Sequence, residues 1–351
     1  MNITDISIKT EPWPKNLATI CTIKGLEPIP DADKIVLASL NENSWKCVVK
    51  KDEFKIDEKV VYICIDSIVD KENPAFAFLE PRKFKVWTAR LRGVYSQGLV
   101  VPTSVLEFYG QNPESFNIGD DITEITKTAY YEKPLDIKLQ GEARGGLPTA
   151  IGFRKTDETN LLSCRKGVLD ELIGKKIYLS IKRDGSSTSF VYNNGDFQAC
   201  SRSLSMKEGN GYPWLVSDKF DIKNKMTNYG GNWIIQGETT GVKFNGNRLG
   251  LTDTEFHIFN IFNIDTRKYL GLDAMVEFCN KIGLKMVDVI GIEDFNPEIH
   301  NVEYFQQIAN NVKYPNGAAG EGIVIRSVEP FYSDKLQKEW SVKVINQNYK
   351  Q

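Results

Sequence analysis

Apolar and polar residues alternate through long parts of this chain, the period of strands half-buried in antiparallel sheets. From Leu17 to about Thr126 the alternation comes in short runs cut by turns. Ile20-Cys21-Thr22-Ile23 is one such run and Pro28 to Asp33 is a loop. Residues 35–40 and 45–49 read as two strands around Asn41-Glu42-Asn43-Ser44. Val60-Val61-Tyr62-Ile63-Cys64-Ile65 is continuously apolar, hence a core strand. Many short strands with turns between them predict a small β-barrel over residues 1–127, closed by the turn Asn117-Ile118-Gly119-Asp120-Asp121. Residues 128–150 are polar, carry Pro134, Gly141, Gly145, Gly146 and Pro148, and read as a linker. Residues 151–351 form the second expected domain.

In that second part, Ile177, Leu179 and Ile181 alternate with Tyr178, Ser180 and Lys182. This predicts a strand that is apolar on one face and releases Lys182 from the other face at its end. Asp184-Gly185-Ser186-Ser187 marks a tight turn in which Gly185 is free to take a positive φ. Trp233-Ile234-Ile235-Gln236-Gly237-Glu238-Thr239-Thr240-Gly241 repeats the plan, with Glu238 near the end of an apolar strand. Thr254 to Ile261 is a further strand, with Phe259 on the face opposite Ile258. Two amphipathic helices come next: Leu272, Met275, Val276 and Cys279 share one face, and Phe305, Ile308, Ala309 and Val312 another. Gly320-Glu321-Gly322-Ile323-Val324-Ile325-Arg326 adds a third strand-borne carboxylate. Trp340 to Asn346 is a last strand, with Lys343 pointing away from Val342 and Val344. The fold class expected is α+β.

Composition narrows the picture in three ways. A 41% hydrophobic content with no apolar run of membrane length predicts a soluble globular protein, and the start Met1-Asn2-Ile3-Thr4-Asp5 lacks the features of a signal peptide, so a cytoplasmic location is expected. The six cysteines are scattered without a C-x-x-C pair and there are only two histidines, which argues against a structural zinc site. A net charge of −2 means that any nucleic-acid surface must be a local patch. Pro81 to Arg92 is such a stretch: Arg82, Lys83, Lys85, Arg90 and Arg92 are interleaved with Phe84 and Trp87. It suits phosphate neutralisation with stacking, or equally a solvated strand edge. Arg92-Gly93 and Ser96-Gln97-Gly98-Leu99 suit close approach to a ligand or to a neighbouring domain.

A lysine at a sheet rim beside Asp184 suits covalent catalysis on a phosphate, provided its ammonium loses a proton. Lys-x-Asp-Gly alone occurs by chance about once in ten chains of this length, so its weight comes from the motifs downstream of it. Arg202, just after a strand, is a candidate phosphate clamp or a surface ion pair.

In order, Lys-x-Asp-Gly, Gly-Glu-x-x-Gly, the Phe-rich strand, Glu-Gly-Ile-Val-Ile-Arg and Ser-Val-Lys-Val-Ile-Asn resemble the motifs of the covalent nucleotidyltransferases, which include RNA ligases, DNA ligases and mRNA capping enzymes. The first part, with Arg92-Gly93 and Ser96-Gln97-Gly98-Leu99, resembles the N-terminal OB-like domain of an ATP-dependent, nick-sealing RNA ligase family. Lys155-Thr156-Asp157-Glu158 resembles that family's segment just upstream of the catalytic core. The resemblance covers nearly the whole chain. It implies an OB-like barrel followed by an adenylyltransferase domain of antiparallel sheets flanked by helices.

By the same resemblance, Lys182 is the nucleophile toward ATP, its pKa lowered by cations such as Lys343 and the metal. Asp184, Glu238 and Glu321 hold Mg2+ or Mn2+, Arg202 holds phosphate or ribose, and Phe259 stacks on adenine, with Phe256 the weaker candidate. Lys182, Asp184, Gly185, Arg202, Glu238, Phe259 and Lys343 line the nucleotide site, and Lys182, Glu238, Glu321 and Lys343 carry the chemistry. Arg82, Lys83, Lys85, Trp87, Arg90 and Arg92 face the nucleic acid, a nicked duplex RNA or RNA/DNA hybrid, and a monomer without membrane contact is expected. Three positions depart from the family pattern: Ile181 stands where many ligases have Glu, Ile345 where many have a second lysine, and Asn260 where Asp is usual. The competing readings are a DNA ligase or GTP-using capping enzyme, which the early end of the chain argues against, and a non-catalytic RNA-binding protein on a ligase scaffold.

Overall fold

The computed structural model describes residues 16–131, 141–155, 157–164 and 166–349. The first five residues, Pro134 of the expected linker and Thr156 lie outside them. The chain divides into two compact units, Met1–Pro134 and Leu135–Gln351. Among the described residues no helix is long and apolar enough to cross a membrane.

The first unit is built on a five-stranded antiparallel sheet. Its longest strand, Ala18–Pro28, pairs through its first half with Lys59–Ile63 and through its second half with Ile35–Leu40. A bulge between Ile23 and Gly25 lies where the pairing changes hands, and such a bulge bends a strand enough for it to serve two neighbours. Ala18, Ile20, Val61, Ile63, Phe76, Leu106 and Ile122 form the core beneath. Gly98 packs inside this unit: a Cβ there would fall 2.4 Å from the Tyr62 ring, and the Tyr62 hydroxyl donates to the Gln97 carbonyl at 3.1 Å. The glycine thus serves packing against Tyr62.

Residues expected as linker carry strand at both ends. Ala129–Tyr130 pairs with Ser67–Ile68, and Ala143–Gly146 pairs with Leu204–Met206. Regular structure therefore reaches further into this stretch, from both sides, than its Pro and Gly content suggested.

The second unit contains a seven-stranded and a five-stranded sheet. The seven-stranded sheet centres on Ser186–Asn193, Trp233–Thr240 and Glu255–Asn263. In the five-stranded sheet Lys176–Lys182 lies between Gly322–Ser327 and Val289–Asp294, with Ser341–Ile345 beyond. Helices Gly211–Phe220, Ile222–Tyr229 and Leu272–Ile282 cover the larger sheet, and Val302–Asn311 packs on the smaller. The first two escaped the periodicity reading because Trp214, Leu215 and Val216 run consecutively, with Leu215 exposed, and the second helix buries only Ile222 and Met226. In Leu272–Ile282 the buried face is Leu272, Met275, Phe278, Cys279 and Ile282, while Val276 is 39% exposed, so the stripe runs one position away from the expected one.

The turn after Lys182 is corrected as well. Gly185 does not take a positive φ. Its missing side chain is needed instead because a Cβ would fall 2.1 Å from the Thr239 carbonyl oxygen, on the strand that carries Glu238. Backbone atoms cannot yield as a side-chain tip can. Gly185→Ala is accordingly expected to cost about 1–3 kcal/mol by overpacking, read as a lower urea midpoint for the second unit; an unchanged midpoint would contradict this account of the glycine.

Candidate active site

Lys182 ends the strand Lys176–Lys182, and its backbone pairs with Gly322, next to Glu321. Lys182 and Arg183 leave the chain in opposite directions. Arg183 is held by Glu255 and Asp288, each at 3.2 Å, whereas the Lys182 Nζ lies 2.7 Å from Glu321 Oε1. The double anchor on Arg183 fixes the strand end and with it the direction of the amine. Side-chain exposures of 25% for Lys182 and 17% for Glu321 leave the pair reachable but poorly screened.

Glu238 joins this pair electrostatically. Burial raises its carboxyl, Lys182 opposes the rise, and the charges of Glu321 and Asp184 add to it, taking it up to about 8. Burial pulls Lys182 down, but Glu321 and Glu238 more than offset this and hold its pKa above the ordinary lysine value. Among the protein's own groups the carboxylates, not Lys343, dominate its surroundings, whereas the expected lowering includes the charge of the metal. Lys182 is an ammonium here.

Asp184 is buried and both its oxygens are engaged. Asn245 donates to Oδ1 at 2.8 Å and the Tyr349 hydroxyl donates to Oδ2. Asn245 also donates to the Gly185 carbonyl at 2.5 Å, so it clips the turn from outside. Among the described residues no group of three or more His, Cys, Asp or Glu side chains is gathered to hold a metal ion. Asp184, Glu238 and Glu321, expected to hold the metal directly or through its waters, are therefore not gathered that closely. Glu238 and Glu321 remain as hard oxygen donors around one ammonium, a set that fits Mg2+ or Mn2+ as partial ligands, since such ions keep waters and take phosphate oxygens for the rest of their shell.

Phe259 owes its orientation to an irregularity. Gln236 pairs with Asn260 and Gly237 with Ile258, so Phe259 is the extra residue of a bulge, a device that re-aims a side chain. The Arg326 guanidinium, from the other sheet, lies over its ring at 5.8 Å. Phe256, the weaker stacking candidate, is instead core: it is 2% exposed and packs edge-on to Phe190 at 5.3 Å.

Arg202 pairs with Asp157 at 2.9 Å, with side chains 51% and 39% exposed, so the structure has it in the surface ion pair foreseen as its alternative. Next to it, Glu158 accepts from Arg326 at 2.6 Å in a buried pair. Burial raises Glu158, but Arg326, Lys338, the Ser341 hydrogen bond and Lys343 together leave it below the usual carboxylate range. Thr159–Asn160 then runs parallel to the Lys343 strand, Asn160 opposite Lys343. Residues 157–160 thereby tie the turn bearing Arg202 to the sheet bearing Lys182.

In the first unit, the stretch 81–92 is not one strand. Arg82 ends a 3-10 helix, Lys83 caps it in the left-handed conformation, and Ala89–Leu91 and Val94–Ser96 form a hairpin about Arg92-Gly93. Arg82 lies over Trp87 at 5.7 Å, Lys85 over Tyr131 at 3.5 Å and Arg90 over Tyr95 at 5.6 Å. Arg82, Lys83, Trp87, Arg90 and Arg92 are exposed, and Lys85 is half-buried.

One residue with no part in the sequence reading connects the site. Tyr314, in the turn before Glu321, accepts from the backbone N–H groups of Asp184 and Glu321 and donates to the Lys182 carbonyl. A buried tyrosine in an irregular loop carries no local signal of such a role.

Residues 175–345 match the model of the RNA ligase family, and residues 17–103 match that of an OB-fold domain. Among solved structures, a lysine-to-alanine variant of an RNA ligase from Naegleria gruberi, with ATP and Mn, is 27% identical and aligns with a TM-score of 0.80 over 95% of this chain and 98% of that one. The same ligase with pyrophosphate gives 27%, a TM-score of 0.79 and coverages of 95% and 98%. A glutamate-to-alanine variant with AMP and Mn gives 27%, 0.80, and again 95% and 98%. No curated protein sequence matches the chain.

The electrostatics of the lysine can be tested without nucleotide. In Glu321→Gln the burial of Lys182 persists while its nearest negative charge is gone, so its pKa falls. Competitive acetylation followed by peptide mass analysis should find Lys182 reactive at lower pH in this variant than in the wild type. An unchanged or higher onset would contradict the charge balance described above.

Proposed function

We propose that this chain, an RNA ligase by family and by fold, seals nicks by joining a 3′-OH RNA end to a 5′-phosphate end in duplex RNA or RNA/DNA hybrids, with AMP carried on Lys182. The observation that carries this reading is the Lys182 amine at a strand end, 2.7 Å from Glu321 and within the field of Glu238. The complexes of the Naegleria ligase with ATP, AMP, pyrophosphate and Mn support ATP and a divalent cation as the cofactors. In the proposed division of labour the first unit holds nucleic acid and the second does the chemistry.

The first step begins with a proton. Lys182 must be neutral for its lone pair to attack, and Glu321 is the acceptor at hand. Nζ then bonds to the α-phosphorus of ATP while the bond to the pyrophosphate oxygen breaks, and the second amine proton is shed. The AMP next passes to the 5′-phosphate, freeing Lys182, and the 3′-OH displaces AMP to leave a phosphodiester. Glu238 and Glu321 would hold the divalent cation together with water. That cation supplies positive charge against the charge building on the α-phosphate. Asp184, held by Asn245 and Tyr349, shapes the turn beside the reacting lysine in this reading. Adenine stacks on the face of Phe259 that Arg326 does not cover, and Lys343 adds a cation from the neighbouring strand.

Substitutions and substrate choice test the scheme. Lys182→Ala should fail on a nick with a 5′-phosphate and ATP, yet still seal a nick whose 5′ end already carries AMP, because the lysine has no part in the last step. Failure on both substrates, with the protein folded, or success on both, would count against the assignment. Replacing Arg82, Lys83 and Lys85 with alanine should reduce nick sealing at least about tenfold, as expected when several phosphate contacts are lost. AMP attachment to the protein should stay near wild type. Equal losses in the two assays would remove the patch from substrate binding. Sealing should also be faster with a 3′-OH RNA strand than with a DNA strand, and with ATP than with GTP.

A further inference from the structure

We infer that Tyr314 is a positioning residue, whose hydroxyl sets the Lys182 amine and the Glu321 carboxylate in register for AMP attachment; the inference rests on the reading of Lys182 as the nucleophile. A tyrosine hydroxyl has one proton to give and two lone pairs to accept with. All three are spent on the backbone of the site. It accepts from the Asp184 N–H at 3.2 Å and the Glu321 N–H at 3.1 Å, and donates to the Lys182 carbonyl at 3.1 Å. The ladder between the Lys182 and Arg326 strands ends at Lys182 and Gly322. Beyond that rung these backbone groups would need other partners, and a single oxygen provides them. The side chain is 4% exposed, and burial pushes the phenol up to about 12, so the hydroxyl keeps the proton it donates.

The turn that carries Tyr314 is itself braced. Tyr314 N–H donates to the Ala318 carbonyl at 2.9 Å, and Gly317 N–H returns to the Tyr314 carbonyl at 2.8 Å. Asn346, 1% exposed, donates through its amide to the Gly320 carbonyl at 2.9 Å and the Val312 carbonyl at 3.4 Å. Its own N–H reaches the Glu321 carbonyl at 2.9 Å. A continuous set of hydrogen bonds thus runs from the end of the Lys343 strand through Asn346 and Tyr314 to the backbone of Lys182. An error of about 1 Å in placing an attacking atom is enough to cost about a hundredfold in rate.

Tyr314→Phe keeps the ring and removes only the hydroxyl. Single-turnover AMP attachment is measured by intact mass over a range of ATP concentrations with Mg2+, with the folded fraction checked by circular dichroism. The rate constant should fall about tenfold or more while the ATP concentration for half-maximal rate changes little. A purely structural role would reduce the amount of active protein and leave the rate constant as in the wild type; that result would overturn the inference. If Tyr314→Phe does not fold, Asn346→Ala, which releases the same turn, is read by the same criteria. A wild-type protein that takes up no AMP would instead refute the reading of Lys182 on which the inference rests.

Discussion

The site is governed by an imbalance of charge at the end of one strand. A single ammonium, Lys182, lies in contact with Glu321 and within the field of Glu238, while Glu238 also feels Asp184. Glu321, in contact, holds a proton on the amine, and Glu238, raised to about 8, adds repulsion toward an incoming triphosphate only as it ionises. Both obstacles have one remedy, positive charge brought in with the nucleotide. That is a physical reason for a divalent cation to accompany ATP here, and it depends on donor chemistry rather than on a prebuilt cage.

Strand architecture makes the imbalance possible. Glu321 reaches Lys182 because their strands are antiparallel neighbours, and Glu238 comes from the other sheet, where Gly185 lets the turn after Lys182 press against the Thr239 carbonyl. Residues 157–160 add a second tie between the two sheets, through Asp157 to Arg202, Glu158 to Arg326, and Asn160 beside Lys343. The Glu158–Arg326 pair is buried, and removing one partner from such a pair costs far more than the pair itself contributes. Phe259 depends on that neighbourhood, since Arg326 lies over its ring. The cation expected to clamp phosphate, Arg202, belongs to this tie.

What was legible in the sequence was what local period encodes. Alternation located the strands that carry Lys182, Glu238, Phe259 and Lys343, but not the bulge that turns Phe259. Glu321, just ahead of an apolar run, was recognisable by its motif. Contacts across long separations were not legible. Tyr314 meets Asp184 from 130 residues away, and Tyr349 meets it from 165. The raised pKa of Lys182 has the same origin, because the sign depends on which charges the sheets bring near. The need for glycine at position 185 was not legible either, because Thr239, which its Cβ would meet, is invisible in the turn itself. Helices Gly211–Phe220 and Ile222–Tyr229 were missed because neither shows a broad apolar face on its own.

The central claim is that Lys182 is the atom donor of a covalent bond to AMP. Its most direct measurement is the intact mass of the protein after incubation with ATP and Mg2+, following removal of any bound AMP with pyrophosphate, with peptide mapping of the product and Lys182→Ala alongside. The account predicts a gain of one AMP in the wild type, mapped to the peptide containing Lys182, and no gain in the variant. AMP bound covalently in Lys182→Ala, or no gain in a folded wild type, would contradict it.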